Sequence, residues 1–209
     1  RLVFEGDQVI GVQDQTGFDY PAKTVVLATG TFLSGLVHIG FHSFKAGRAG
    51  EFASYHLSSQ LKALGFQLGR MKTGTPPRIK KSTIDFDRFI KQETLKDPTP
   101  FSVFTQTLSM PQLPSYIGHT NPKAHTIVQQ NLGRSALYGG NIKGVSARYC
   151  PSFEDKTVRL PDRVRHQIVL EHEGLQTDDI YASGLGNSLP MEIQIQFVRS
   201  VNGLESAEI

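Results

Sequence analysis

Short apolar runs separated by glycine turns organise the first part of the chain. Leu2 to Glu5 and Gln8 to Val12 flank Gly6-Asp7, a pattern that predicts a β-hairpin, and Phe18 to Pro21 extends it into a meander. Thr24-Val25-Val26-Leu27-Ala28 is almost continuously apolar, which predicts a strand buried on both faces in a parallel sheet. Thr29-Gly30-Thr31 ends that run with small residues that let a ligand come close to the backbone. Leu57, Leu61 and Leu64 recur at helical spacing, so Ser54 to Leu64 reads as a helix, closed by Gly65 as a left-handed cap. Phe66 to Met71 alternates like a strand. Lys72 to Arg78, with Pro76-Pro77, reads as a rigid turn or loop.

The pattern changes from Ile84 to Pro122. Pro98, Pro100, Pro111, Pro114 and Pro122 break short aromatic and hydroxyl-rich stretches, which suggests antiparallel strands and loops in a domain inserted into the first. Ala124 to Leu132 reads as a helix, Thr157 to Arg159 and Gln167 to Glu171 as strands. Leu189 to Val201 reads as a helix with Ser188 as N-cap and Pro190 near its start, although Met191 to Val198 also alternates like a strand.

Composition narrows the class. At 209 residues the chain can bury a substantial core, in one large domain or two small ones. No apolar run approaches the roughly 18 residues of a membrane span, and the N-terminus does not read as a signal peptide. There is no starting Met, and both ends fall near strand-like runs, so the sequence is expected to be a piece of a longer chain. A net charge of +3 permits a nucleic-acid partner without arguing for one. One cysteine excludes an intrachain disulfide or a Cys-rich zinc site and suits a reducing cytoplasm.

Candidate chemistry centres on that cysteine. Ser146-Ala147-Arg148-Tyr149-Cys150-Pro151-Ser152-Phe153-Glu154-Asp155-Lys156 places Arg148 two residues before the thiol, and Lys156 can approach if the loop folds back. Either cation would favour the nucleophilic thiolate. Glu154 and Asp155 can act as acid or base, or simply pair with those cations. On the residues alone, a buried inert thiol in a loop of surface ion pairs is the competing reading. The seven histidines match no zinc pattern, so no metal is expected. The chain also has no Walker loop, nucleophile elbow or G-x-G-x-x-G loop; a Rossmann-type domain would have its first half upstream of Arg1.

Eight ordered blocks carry a resemblance: ATGTFLSGLVHIG (28–40), GRAGEFAS (47–54), GRMKTGTPPRI (69–79), IDF (84–86), YIGHTN (116–121), ARYCPSFEDKTVRL (147–160), HQIVLEHEGL (166–175) and NSLPMEIQIQFVRSVNGLE (187–205). Together they resemble the GidA/MnmG family over nearly the whole chain. The most specific block is similar to the family signature G-P-R-Y-C-P-S-I-E-D-K. Here Ser146-Ala147 stands for Gly-Pro and Phe153 for an aliphatic residue, His172 stands where Pro is common, and Gly186-Asn187 where Ser-Thr is common. A side chain at Ser146 narrows a backbone approach and bears on the nicotinamide contact more than on the thiol.

The resemblance implies an α/β fold: part of a Rossmann-like FAD-binding domain (1–75 and 181–209) with an inserted mixed α+β nicotinamide-binding domain (76–180). It implies a homodimeric cytoplasmic enzyme with FAD, NADH and methylenetetrahydrofolate. With the GTPase MnmE, such an enzyme adds an aminomethyl or carboxymethylaminomethyl group to carbon 5 of the wobble uridine of tRNA. It implies a catalytic role for Cys150. For cofactor contacts it implies Ala28, Thr29, Gly30 and Ser54 on the flavin side. On the nicotinamide side it implies Ser146, Ala147, Arg148, Tyr149, Pro151, Ser152, Glu154 and Lys156. Lys72 to Arg78 matches a motif near the cofactor, without individual roles. A folate- and FAD-dependent tRNA uridine methyltransferase is the alternative, similar only at the strand end around Ala28-Thr29-Gly30.

Overall fold

The computed structural model describes residues 1–147 and 150–209. The chain is divided into two compact units, one of residues 1–38 and 42–70, the other of residues 39–41 and 71–209.

The first unit opens with the expected meander. Strands β1 (Leu2–Glu5), β2 (Gln8–Gln13) and β3 (Asp19–Pro21) pair antiparallel, with Leu2 opposite Val12 and Gly11 opposite Pro21. Strands β4 (Leu36–Ile39) and β5 (His42–Lys45) form a two-stranded sheet. Helix α1 (Tyr55–Ala63) follows and ends at Gly65, whose φ of 87° is the left-handed cap expected of a glycine there. The Gln60 amide ties α1 to β1 by accepting from Leu2 N–H (2.6 Å) and donating to Leu2 C=O (2.8 Å).

The second unit is α+β. After β6 (Met71–Lys72) come β7 (Arg78–Lys80), β8 (Ile90–Gln92), β9 (Ser115–His119), helix α2 (Pro122–Gln130), β10 (Val145–Ser146), helix α3 (Phe153–Arg159), β11 (Gln167–His172), β12 (Asp179–Ser183) and helix α4 (Met191–Arg199). Five strands form an antiparallel sheet in the order β7-β12-β11-β9-β8. Alternation along β11 and β12 buries Ile168, Leu170, Ile180 and Ala182. They share one core with Ala124 and Val128 of α2, Phe153 of α3, and Ile193, Phe197 and Val198 of α4. Phe153 and Phe197 are fully buried with ring centroids 4.6 Å apart. Each such side chain contributes about 1.5–3 kcal/mol by burial. Asn121 caps α2 by accepting from Ala124 N–H at 2.9 Å, with Pro122 at its first position.

The α/β class expected from the sequence holds, but four local expectations are corrected. Thr24 to Ala28 forms no strand, and Val26 is 88% exposed. A doubly buried parallel strand needs ladders on both sides, and no described strand of its unit flanks this run. Phe66 to Met71 joins a ladder only at its last residue, in β6, and no described strand pairs with Phe66 to Arg70. Thr157 to Arg159 is the end of α3 rather than a strand, because the cap at Ser152 outweighs the β-branched pair Thr157-Val158. Ser188 does not cap α4. That helix starts from Pro190, while Ser188 is engaged by Glu154.

Candidate active site

A two-residue parallel ladder, Val145 with Met71 and Ser146 with Lys72, leads into the cysteine segment. Ala147 N–H continues it by donating to Lys72 C=O at 3.4 Å. Cys150 N–H donates back to Ala147 C=O at 3.1 Å, and the Cys150 side chain is half-buried. Two residues on, Ser152 opens α3 with a complete capping box. Asp155 N–H donates to Ser152 Oγ (3.2 Å), and Ser152 N–H donates to Asp155 Oδ2 (3.1 Å). Two backbone donors at the start of the helix are thereby satisfied inside the protein. Pro151, exposed between thiol and cap, has its φ fixed by its ring.

Asp155, Glu154 and Lys156 of this segment are engaged in the fold. Asp155 is buried and also accepts from Tyr138 Oη at 3.2 Å. Its carboxylate lies 3.7 Å from Lys72 Nζ and 3.6 Å from Arg159 Nη2. Burial pushes the Asp155 carboxyl up, but the Ser152 N–H, the Lys72 charge and the Tyr138 hydroxyl outweigh it and hold it below its ordinary value. Glu154 is fully buried; its Oε1 accepts from both Ser188 N–H (2.8 Å) and Ser188 Oγ (2.9 Å), while Oε2 has no hydrogen-bond partner. Lys156 donates to Gly184 C=O at 3.1 Å and stands 6.0 Å from the Phe153 ring centroid. Burial lowers its pKa. The lysine expected to fold back toward the thiol is thus held by the turn after β12.

On the first unit, Thr29 C=O accepts from Phe32 N–H (2.9 Å) and Phe32 C=O accepts from Ser54 N–H (2.8 Å). The two sequence-selected flavin-side segments, Ala28-Thr29-Gly30 and Ser54, therefore bracket Phe32. Gly30 has φ 52°, and a Cβ there would meet no atom within 4 Å, so its backbone is open to approach. Ser54 occupies the N-cap position of α1 without a capping bond from its side chain. Ser146 through Lys156 belong to the second unit. Of these, Arg148 and Tyr149 lie outside the described residues. Among the described residues, no three His, Cys, Asp or Glu side chains gather as a metal site, and no helix is long and apolar enough to cross a membrane.

Lys72, Tyr138 and Ser188 join this site; the sequence offers Lys72 only within the Lys72–Arg78 motif, Ser188 only as a cap for α4, and Tyr138 not at all. Ser152-x-x-Asp155 is a readable capping signature. Tyr138 and Ser188 carry no local signal of these contacts, because only folding brings them 17 and 34 residues along the chain to their partners.

A mixed α/β chain that presents a lone thiol between a short parallel ladder and a capped helix defines a cysteine-loop α/β protein. More particularly, the chain belongs to the family of glucose inhibited division protein A, whose model matches residues 1–209. It is 56% identical over 208 residues to the tRNA uridine 5-carboxymethylaminomethyl modification enzyme MnmG of Syntrophobacter fumaroxidans, covering 100% of this chain and 32% of that protein. The same-named protein of Thermodesulfovibrio yellowstonii is 52% identical, with 100% and 34% covered. The structure of Aquifex aeolicus GidA in its form I crystal superposes with a TM-score of 0.85 at 44% identity, over 99% of this chain and 36% of that one. The chain spans about a third of the length of the curated relatives it matches.

Proposed function

We propose that the protein carrying this chain modifies tRNA as an FAD-dependent enzyme. It adds an aminomethyl or carboxymethylaminomethyl group at carbon 5 of the wobble uridine, together with the GTPase MnmE. The observation that carries this reading is Cys150 itself, half-buried within the family's most specific motif and held between Ala147 and the Ser152 cap. In this reading residues 1–75 and 181–209 belong to the flavin domain and 76–180 to the inserted nicotinamide domain. The enzyme is a cytoplasmic homodimer that uses NADH and methylenetetrahydrofolate.

The residues present suit a flavin and a nicotinamide dinucleotide. The open backbone at Gly30, beside Thr29 and Ser54, accepts the approach of a flat ring. On the nicotinamide side Ser146 and Pro151 are exposed, with Ala147 half-buried and Arg148 and Tyr149 between them in sequence, while Ser152, Glu154 and Lys156 support the segment from inside. A flavin bound there would supply redox chemistry, while transfer of the folate's methylene unit to carbon 5, with an amine displacing the folate nitrogen, needs no net electrons. Cys150 adds through its thiolate to carbon 6 of the uridine, which makes carbon 5 nucleophilic toward that unit; reversal releases the thiolate after carbon 5 loses its proton. Glu154, Asp155 and Lys156 hold the loop, since each is committed to an internal partner.

The test is Cys150→Ser in the full-length protein, read by nucleoside mass analysis of tRNA and by flavin absorbance. Loss of the modified uridine with flavin retained is expected; an undiminished yield of modified uridine would remove Cys150 from the chemistry.

A further inference from the structure

Among the described residues, Lys72 is a buried cation of the second unit that the proposed chemistry leaves unused. Its side chain is only 4% exposed, and its Nζ makes no hydrogen bond. Burying an ammonium without a hydrogen-bonded partner is costly, so its placement calls for a reason. The same residue reaches both ends of the cysteine segment. Its backbone lies beside Ser146 in the parallel ladder and its C=O accepts from Ala147 N–H. Its ammonium faces the Asp155 carboxylate that closes the Ser152 cap.

We infer that Lys72 is a positioning residue for Cys150: it fixes the two ends of the segment that presents the thiol and sets the charge beside it. This rests on the reading of Cys150 as the reactive thiol. Asp155 Oδ2 is 3.1 Å from Ser152 N, and Ser152 is two residues from Cys150, at most about 7 Å between Cα atoms. The carboxylate and the thiol are thus carried on the same short stretch of chain, and a buried charge there is screened less than one in solvent. With Lys72 in place that carboxylate is compensated; without it, uncompensated negative charge stands at the start of α3. Tyr138 Oη and Arg159 Nη2 share the other carboxylate oxygen, but Arg159 is 72% exposed and well screened.

The experiment alkylates Cys150 in the full-length protein, following the Cys150 peptide by mass spectrometry. The rate with anionic iodoacetate is divided by the rate with neutral iodoacetamide. Lys72→Met is expected to lower this ratio at least about threefold, because the anionic reagent loses a nearby cation. Lys72→Arg is expected to keep it within about twofold of the wild type. Asp155→Asn, which leaves Lys72 uncompensated, is expected to raise it. In the modification assay, Lys72→Met should lower kcat with little change in KM for tRNA. If Lys72→Met does not fold, Asp155→Asn decides. An unchanged ratio in the folded variants overturns the positioning role. Because alkylation needs no tRNA turnover, that outcome is separate from the fate of the Cys150→Ser test.

Discussion

Ser152 and Asp155 exchange hydrogen bonds across the first turn of α3, the hydroxyl accepting from Asp155 N–H and the carboxylate from Ser152 N–H. The helix has only seven residues, too few to be stable on propensity, so this exchange and the burial of Phe153 hold it in place. Ser152→Ala is expected to lower stability by about 1 kcal/mol, measured by urea denaturation, and Ser152→Thr to recover most of it.

Glu154 joins α3 to the segment before α4 through two donors of Ser188. Glu154→Leu leaves those donors buried and unpaired. A loss of about 2–6 kcal/mol is expected from the same measurement, at about 1–3 kcal/mol for each orphaned group. Glu154→Gln, whose amide oxygen can still accept from Ser188, should lose less than Glu154→Leu, while Ser188→Ala also strands Leu137 N–H, which donates to Ser188 Oγ at 3.1 Å. A Glu154→Gln variant no more stable than Glu154→Leu would refute this account.

His125 and His166 lie with ring centroids 5.1 Å apart against Phe153. His125 Nε2 pairs with Thr120 Oγ1 at 2.8 Å, while His166 Nε2 is buried without a partner. Burial lowers both pKa values below 6.5; for His166 the charges of His125, Lys156 and Arg163 lower it further. The unfolded chain therefore binds more protons than the folded one as pH falls through 6.5. Stability is expected to be full above about pH 6.5 and to decline below it. Urea midpoints at pH 7.5 and 5.5 test this, and His166→Gln should shrink the difference. A difference unchanged in that variant would clear His166 of the effect.

Gly118 sits in β9 where a Cβ would fall 2.5 Å from the Phe89 ring and 3.4 Å from Ile168. Both neighbours are buried in the core. Gly118→Ala is expected to cost about 1–3 kcal/mol through overpacking, seen as a lower thermal midpoint. Phe89→Leu combined with Gly118→Ala should regain part of the loss.

The sequence by itself determined the opening meander, α1 with its glycine cap, α2, β11 and α4, because hydrophobic period, caps and turn residues are local properties. It also identified the cysteine segment, where a specific motif needs no geometry to be read. Tertiary structure decided the rest. Val25 to Ala28 has the composition of a buried strand, yet a strand forms only where another backbone accepts its hydrogen bonds. Thr157 and Val158 favour β structure, but the Ser152–Asp155 cap and the Phe153 pocket make them helical. The role of Lys72 was invisible in the chain. Its carboxylate partner is 83 residues away, and only folding removes both from water, where their pairing carries consequence.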